Sequence, residues 1–204
     1  VVRGLNAHAW TEVYLRGVGW VTFDATPGAG DQDQSNTPDG SLPPEQQARI
    51  QLFFALKLMP SLSEVHYVSI NGQRDSGFEG HFDSFFSSHC SLRLSADADA
   101  SVSASDVVIT ATPGGGALFS VDAVRPGTHL NCVGADTKGK RELPDGLLAR
   151  ARVFVDDTTQ ARQIGENQWA PETPCSELGD LLTGNASFTR QPGAIPIFAI
   201  TGLA

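Results

Sequence analysis

Asp106-Val107-Val108-Ile109-Thr110-Ala111-Thr112 is a nearly all-apolar run of strand-forming residues. A strand that is buried on both faces reads this way, and such strands belong to parallel sheets covered on either side. Working outward from it, His129–Gly134, Arg152-Val153-Phe154-Val155 and Ile195–Ile200 read as further strands, with Val65–Ile70 as one upstream. Helical patterns stand between them at Gly80–Ser88, Asp145–Ala151 and Ser176–Thr183. Earlier still, Pro44 occupies a first helical position before the amphipathic stretch Glu45–Met59, which Pro60 closes. Strands alternating with helices at this pace predict an α/β fold with a doubly wound parallel sheet. Ligands of such sheets sit beyond the carboxyl ends of the strands. That places Thr110–Pro113 and Val133–Asp136 at the site.

The bulk properties bound the rest. A length of 204 residues suits one domain with an appendage, and 40% hydrophobic content is enough for a core. With 23 acidic against 14 basic residues and a net charge of −9, the chain has no basic stripe for nucleic acid or an anionic membrane. No apolar run reaches the roughly 18 residues of a membrane span. The opening Val1-Val2-Arg3-Gly4 does not begin a signal peptide. It also lacks an initiator methionine, so the chain is expected to be cut from something longer. Cys90, Cys132 and Cys175 are odd in number and widely spaced, so reduced thiols in a cytoplasmic protein are expected.

The N-terminal stretch is of a different kind. Trp10–Leu15 and Gly19–Phe23 alternate as two strands joined by a turn at Arg16–Gly19. On that hairpin His8 stands just before the first strand and Asp24 just after the second, so folding back brings them together. From Gly28 to Pro44 the only apolar side chain larger than alanine is Leu42. That composition reads as a linker. Gly28-Ala29-Gly30 could cradle a phosphate only if a helix followed directly. The next helical stretch begins near Pro44, so the linker reading is preferred.

Two resemblances follow from these residues. The segment His8-Ala9-Trp10, Gly17-Val18-Gly19-Trp20-Val21 and Phe23-Asp24-Ala25-Thr26-Pro27-Gly28 resembles the His–Asp segment of bacterial transglutaminase-like proteins, cysteine enzymes of the papain type. That likeness implies His8 as a base and Asp24 as its orienting acid. The family's nucleophilic cysteine stands in a Trp-flanked helix start, a context that none of the three cysteines has.

The second resemblance covers far more of the chain. Asp106–Pro113, Arg125–Asp136, Gly139-Lys140-Arg141-Glu142-Leu143, Val153–Asp157, Gly165-Glu166, Glu177–Asp180 and Thr201–Ala204 are similar, in order, to the ornithine cyclodeaminase/mu-crystallin family. The likeness implies a Rossmann-like domain binding NAD(P), used for deaminating cyclisation, imine reduction or amino-acid dehydrogenation. It implies Asp136 as the catalytic acid/base and Lys140 as its neighbour. Thr110, Ala111, Thr112, Val133, Gly134 and Asp136 would line the cofactor. A small amino acid or imine is the implied substrate, and the likeness allows a homodimer.

The departures from the family are equally specific. Its substrate domain is absent, and the first Rossmann strand with its glycine loop is missing or replaced by Phe23–Gln32. After the second Rossmann strand, Asn71-Gly72-Gln73-Arg74 stands where NAD-specific members present an acid, and Arg74 leans towards a 2′-phosphate. The expected organisation is a hairpin over residues 1–27, a linker over 28–44 and an incomplete NAD(P)-binding Rossmann-like domain over 45–204. A cysteine acyltransferase fragment and a non-catalytic nucleotide-binding fragment are the alternative readings.

Overall fold

Val153, Phe154 and Val155 have no solvent exposure. Successive strand residues point to opposite faces, so both faces of the sheet are covered at this point. The computed structural model describes residues 10–15, 19–24, 44–69, 72–88 and 90–201. Contacts divide the chain into Val1–Pro43 and Pro44–Ala204.

In the first unit, β1 (Trp10–Leu15) and β2 (Gly19–Asp24) form the expected antiparallel hairpin. Asp24 closes β2 opposite Trp10 rather than following the strand. His8 and residues 28–43 lie outside the described residues.

The second unit opens with α1 (Pro44–Leu58), β3 (Glu64–Val68), α2 (Ser76–Phe85), β4 (Ser91–Ser95), α3 (Ala98–Ala104) and β5 (Val107–Thr110). It continues through β6 (His129–Cys132), β7 (Arg152–Val155), α4 (Thr158–Ala161), β8 (Cys175–Glu177), α5 (Leu178–Thr183) and β9 (Pro196–Ala199). Five strands form one parallel sheet in the order β5-β6-β9-β7-β8. Thr110 pairs with Cys132, Cys132 with Ala199, and Ala199 with Val155. The carboxyl ends of these strands therefore share one edge. β3 and β4 form a separate parallel pair, and among the described residues β3 pairs only with β4 and β5 only with β6.

Two apolar clusters hold the unit together. The larger gathers Val102, Leu130, Leu143, Leu147, Val153 and Ile197 around the five-stranded sheet. The smaller joins Leu56, Phe82, Phe86 and Cys90, with Val65 and Leu92 packed against them. On the sheet itself Phe154 stacks on Phe198, ring centroids 4.9 Å apart. Among the described residues no helix is long and apolar enough to cross a membrane.

The elements depart from the sequence reading where capping and tertiary pairing decide. The helix expected at Gly80–Ser88 begins at Ser76, because the Asp75 carboxylate accepts the Phe78 N–H at 2.9 Å. Asp145–Ala151 yields only a 3₁₀ turn at Leu148–Arg150. Ser176–Thr183 divides into the end of β8 and the helix α5, because Cys175–Glu177 pairs with β7. β4 and α3 were not expected. β4 is short, with Leu92 and Leu94 alternating with polar residues. α3 has a weak apolar stripe and owes its start to Asp97, whose carboxylate accepts the Ala100 N–H at 2.9 Å. Asp97→Ala is expected to cost about 1 kcal/mol, read as a lower urea midpoint with unchanged slope.

Candidate functional site

The strand ends converge on a buried glutamate. Thr110 ends β5, and the chain leaves the sheet through Ala111 and Thr112. Val133 and Gly134 follow β6, whose continuation is fixed by a Val133 N–H donating to the Thr110 carbonyl at 2.9 Å. Between these two exits lies the fully buried side chain of Glu142. Its Oε2 accepts from Thr110 Oγ1 at 2.7 Å and from the Gly134 N–H at 3.0 Å. Its Oε1 accepts from the Thr112 N–H at 2.6 Å and from Thr112 Oγ1 at 2.9 Å. Four donors thus meet one carboxylate, the condition under which a charge can be kept out of water.

Glu142 is itself held by a second acid. Its N–H donates to Glu166 Oε1 at 2.7 Å, and the Leu143 N–H donates to Glu166 Oε2 at 3.2 Å. Glu166 is only 2% exposed. Burial raises its pKa from 4.5 to about 7, and the neighbouring Glu142 also raises it; the two backbone N–H bonds and Arg141 oppose the rise. Cys132 lies against the same cluster, and its thiol is pushed well above its ordinary value, by burial first and then by Glu166. That thiol is held neutral and makes a poor nucleophile.

Asp136 stands two residues beyond Gly134. Its Oδ1 accepts from Lys140 Nζ at 2.5 Å and from Thr137 Oγ1 at 2.9 Å. The two partners are partly sheltered, with side chains 13% exposed for Asp136 and 29% for Lys140. The loop carrying them is fastened from the 3₁₀ turn Glu166–Trp169. Gln168 Oε1 accepts the Gly139 N–H at 2.8 Å, and Trp169 Nε1 donates to the Lys140 carbonyl at 2.9 Å. At the neighbouring strand ends, Asp156 accepts from the Thr201 N–H and hydroxyl at 2.9 Å each.

The structure therefore brings Thr110, Ala111, Thr112, Val133, Gly134, Asp136 and Lys140 to one edge of the sheet, as their placement in the sequence implied. It also shows that the polar groups of Thr110, Thr112 and Gly134 already serve Glu142. Arg74, after β3, is paired with Glu79 at 2.8 Å. Of the alternative pair, Asp24 lies in β2 and His8 outside the described residues. Sequence reasoning assigned no role to Glu142, Glu166 or Gln168. The first two stood inside quoted motifs, Glu142 directly before the apolar Leu143 and Glu166 directly after Gly165, and that setting was the available signal.

A sequence model of the ornithine cyclodeaminase/mu-crystallin family matches residues 46–204. The chain belongs to that family. Among its relatives, the alanine dehydrogenase of Archaeoglobus fulgidus is 30% identical over 164 residues, covering 76% of this chain and 49% of that protein. The iminosuccinate reductase of Paracoccus denitrificans is 36% identical over 117 residues, covering 54% and 34%. An archaeal alanine dehydrogenase dimer solved with bound NAD superposes with a TM-score of 0.66 at 29% identity, covering 77% of this chain and 49% of that one. The Paracoccus enzyme solved with NAD+ gives 0.67 at 27% identity, with the same coverages of 77% and 49%. The chain thus spans about half the length of these family members. The family match lends no support to the cysteine acyltransferase alternative.

Proposed function

We propose that this chain carries the nicotinamide-binding part of an NAD(P)-dependent amino-acid dehydrogenase or imine reductase. The observation that supports it best is the Asp136–Lys140 ion pair standing just beyond the Gly134–Ala135 exit of β6, on the edge where parallel sheets receive their ligands. The residues present fit the nicotinamide end of such a cofactor. Ala111 offers part-exposed apolar surface, and Asp136 offers a carboxylate.

A bound nicotinamide supplies or accepts the hydride. The Asp136 carboxylate takes up or returns the proton that must accompany the change at an amine or imine nitrogen. Lys140 fixes that carboxylate in place. Glu142 keeps the two strand exits in register beneath it. The dimeric alanine dehydrogenase relative supports a homodimer for the whole protein, and the names of the relatives support a small amino acid or imine as substrate. Three free cysteines are in keeping with a cytoplasmic location. The transglutaminase-like likeness of residues 6–28 rests on their sequence and on the hairpin register, and takes no part in this chemistry.

Cofactor preference is read at Arg74. It is the cation after β3 available to a 2′-phosphate, and binding NADPH there requires it to leave Glu79. Calorimetric titration with NADH and NADPH tests the reading. Gly28-Ala29-Gly30 is read as linker, so the pyrophosphate lacks its usual glycine-loop bonds and dissociation constants of about millimolar order are expected. Asp136→Ala should leave that affinity unchanged and abolish imine reduction. No heat from either cofactor at saturating concentration would sink the proposal. Micromolar binding would instead show that Gly28-Ala29-Gly30 works as a phosphate loop.

A further inference from the structure

We infer that Glu142 is a positioning residue: its buried carboxylate ties the exits of β5 and β6 into one rigid ledge on which the cofactor and Asp136 are set. The inference deepens the nicotinamide reading and rests on it for the identity of the ligand. The geometry of the ledge stands on its own.

The Val133 N–H to Thr110 carbonyl bond joins the exits at the strand ends, and beyond it Thr112 and Gly134 are tied through Glu142. Thr112 lies beyond the end of β5, and Gly134 beyond the end of β6. Their backbone N–H groups both point inward and both end on Glu142. One carboxylate therefore fixes two loops separated in the chain, in the way a metal ligand's supporting bonds fix its orientation. The support continues a layer deeper, because Glu166 holds the Glu142 backbone through its N–H. Glu166 belongs to the same turn whose Gln168 and Trp169 fasten the Asp136–Lys140 loop. The ledge and the acid are thus referred to one common anchor. Glu142 touches neither the proposed ligand nor Asp136 in this arrangement, so its part is to place them.

Glu142→Gln tests this with almost no change in volume. An amide has one acceptor oxygen and an N–H₂ that can only donate. Whichever way it turns, one backbone N–H, of Thr112 or of Gly134, would face another donor, while the threonine hydroxyl beside it can turn to accept. Weakening a bond to a charged group should raise the NADH dissociation constant about tenfold. A core variant of matched unfolding midpoint, Val153→Ala, separates placement from general destabilisation. It should leave NADH affinity unchanged. Amide hydrogen exchange is read on the same samples, and in Glu142→Gln it should accelerate at Thr112 and Gly134 while β7 stays protected.

Should Glu142→Gln fail to fold, Thr110→Val removes a single donor from the carboxylate and is read in the same two ways. Unchanged affinity in the Glu142 variant, or equal loss in the Val153 control, overturns the inference. If the wild-type protein binds neither NADH nor NADPH, the nicotinamide reading fails and the exchange data decide the ledge alone. Acceleration confined to Thr112 and Gly134 then supports it, and uniform or absent acceleration refutes it.

Discussion

Gly134→Ala is expected to cost the protein more than about 3 kcal/mol, the range reached only by severe steric conflicts in a core. An added methyl would run into Glu142 Oε1 and into both the nitrogen and the carbonyl oxygen of Thr112. None of these can step aside cheaply. The carboxylate is held by four donors. Just before Gly134 the backbone is pinned, through the Val133 N–H to the Thr110 carbonyl at 2.9 Å and the Ile200 N–H to the Cys132 carbonyl at 3.0 Å. The same substitution at Gly116 meets nothing within 4 Å, and it should leave stability nearly unchanged. Urea unfolding of the two variants checks the contrast. Similar midpoints for both would mean that the exits of β5 and β6 do not close around Glu142.

The second large effect is a pH dependence of stability set by Glu166. Its folded-state pKa is about 7 against an ordinary 4.5. Between those values the folded protein keeps a proton that the unfolded chain has released. Stability from this group is therefore complete below about pH 4.5, falls as the pH rises, and is gone above about pH 7. The difference corresponds to about 3 kcal/mol. The titratable groups around Glu166 are Glu142, Arg141 and Cys132. Glu79, Asp99 and Glu177 act in the opposite sense, because hydrogen bonds lower their pKa values and their contributions are lost only as the pH falls.

Urea unfolding from pH 4.5 to 8 should show the decline in the wild type and its absence in Glu166→Gln. The absolute level of the variant is a separate matter, because an amide nitrogen would face the Leu143 N–H. The slope is the quantity that decides. A decline that survives in Glu166→Gln would place the responsible group elsewhere.

The strands were legible from sequence to the extent that their burial is two-sided. Val107–Ile109 and Val153–Val155 are apolar in succession because neither face is left open: Val153–Val155 are buried throughout, and Val107–Ile109 are buried or half-buried. Asp136 and Lys140 were legible too, because partners four residues apart need only a local turn to meet. β4 and α3 escaped notice, since a five-residue alternation and an Ala/Ser helix carry little pattern of their own. Arg74 could be read as a free cation from its position in the chain, but Glu79, arriving from the following helix, claims it.

What only the tertiary structure decided lies between segments distant in sequence. β9, the last strand among the described residues, sits between β6 and β7, and no local signal says which strands will be neighbours. Glu142 meets Thr110 across 32 residues and Gly134 across 8, so its convergence on both exits exists only once the sheet has formed. The proton affinity of Glu166 follows the same rule. A glutamate is an ordinary acid in the unfolded chain, and it becomes a weak one here because folding removes the water that would stabilise its charge.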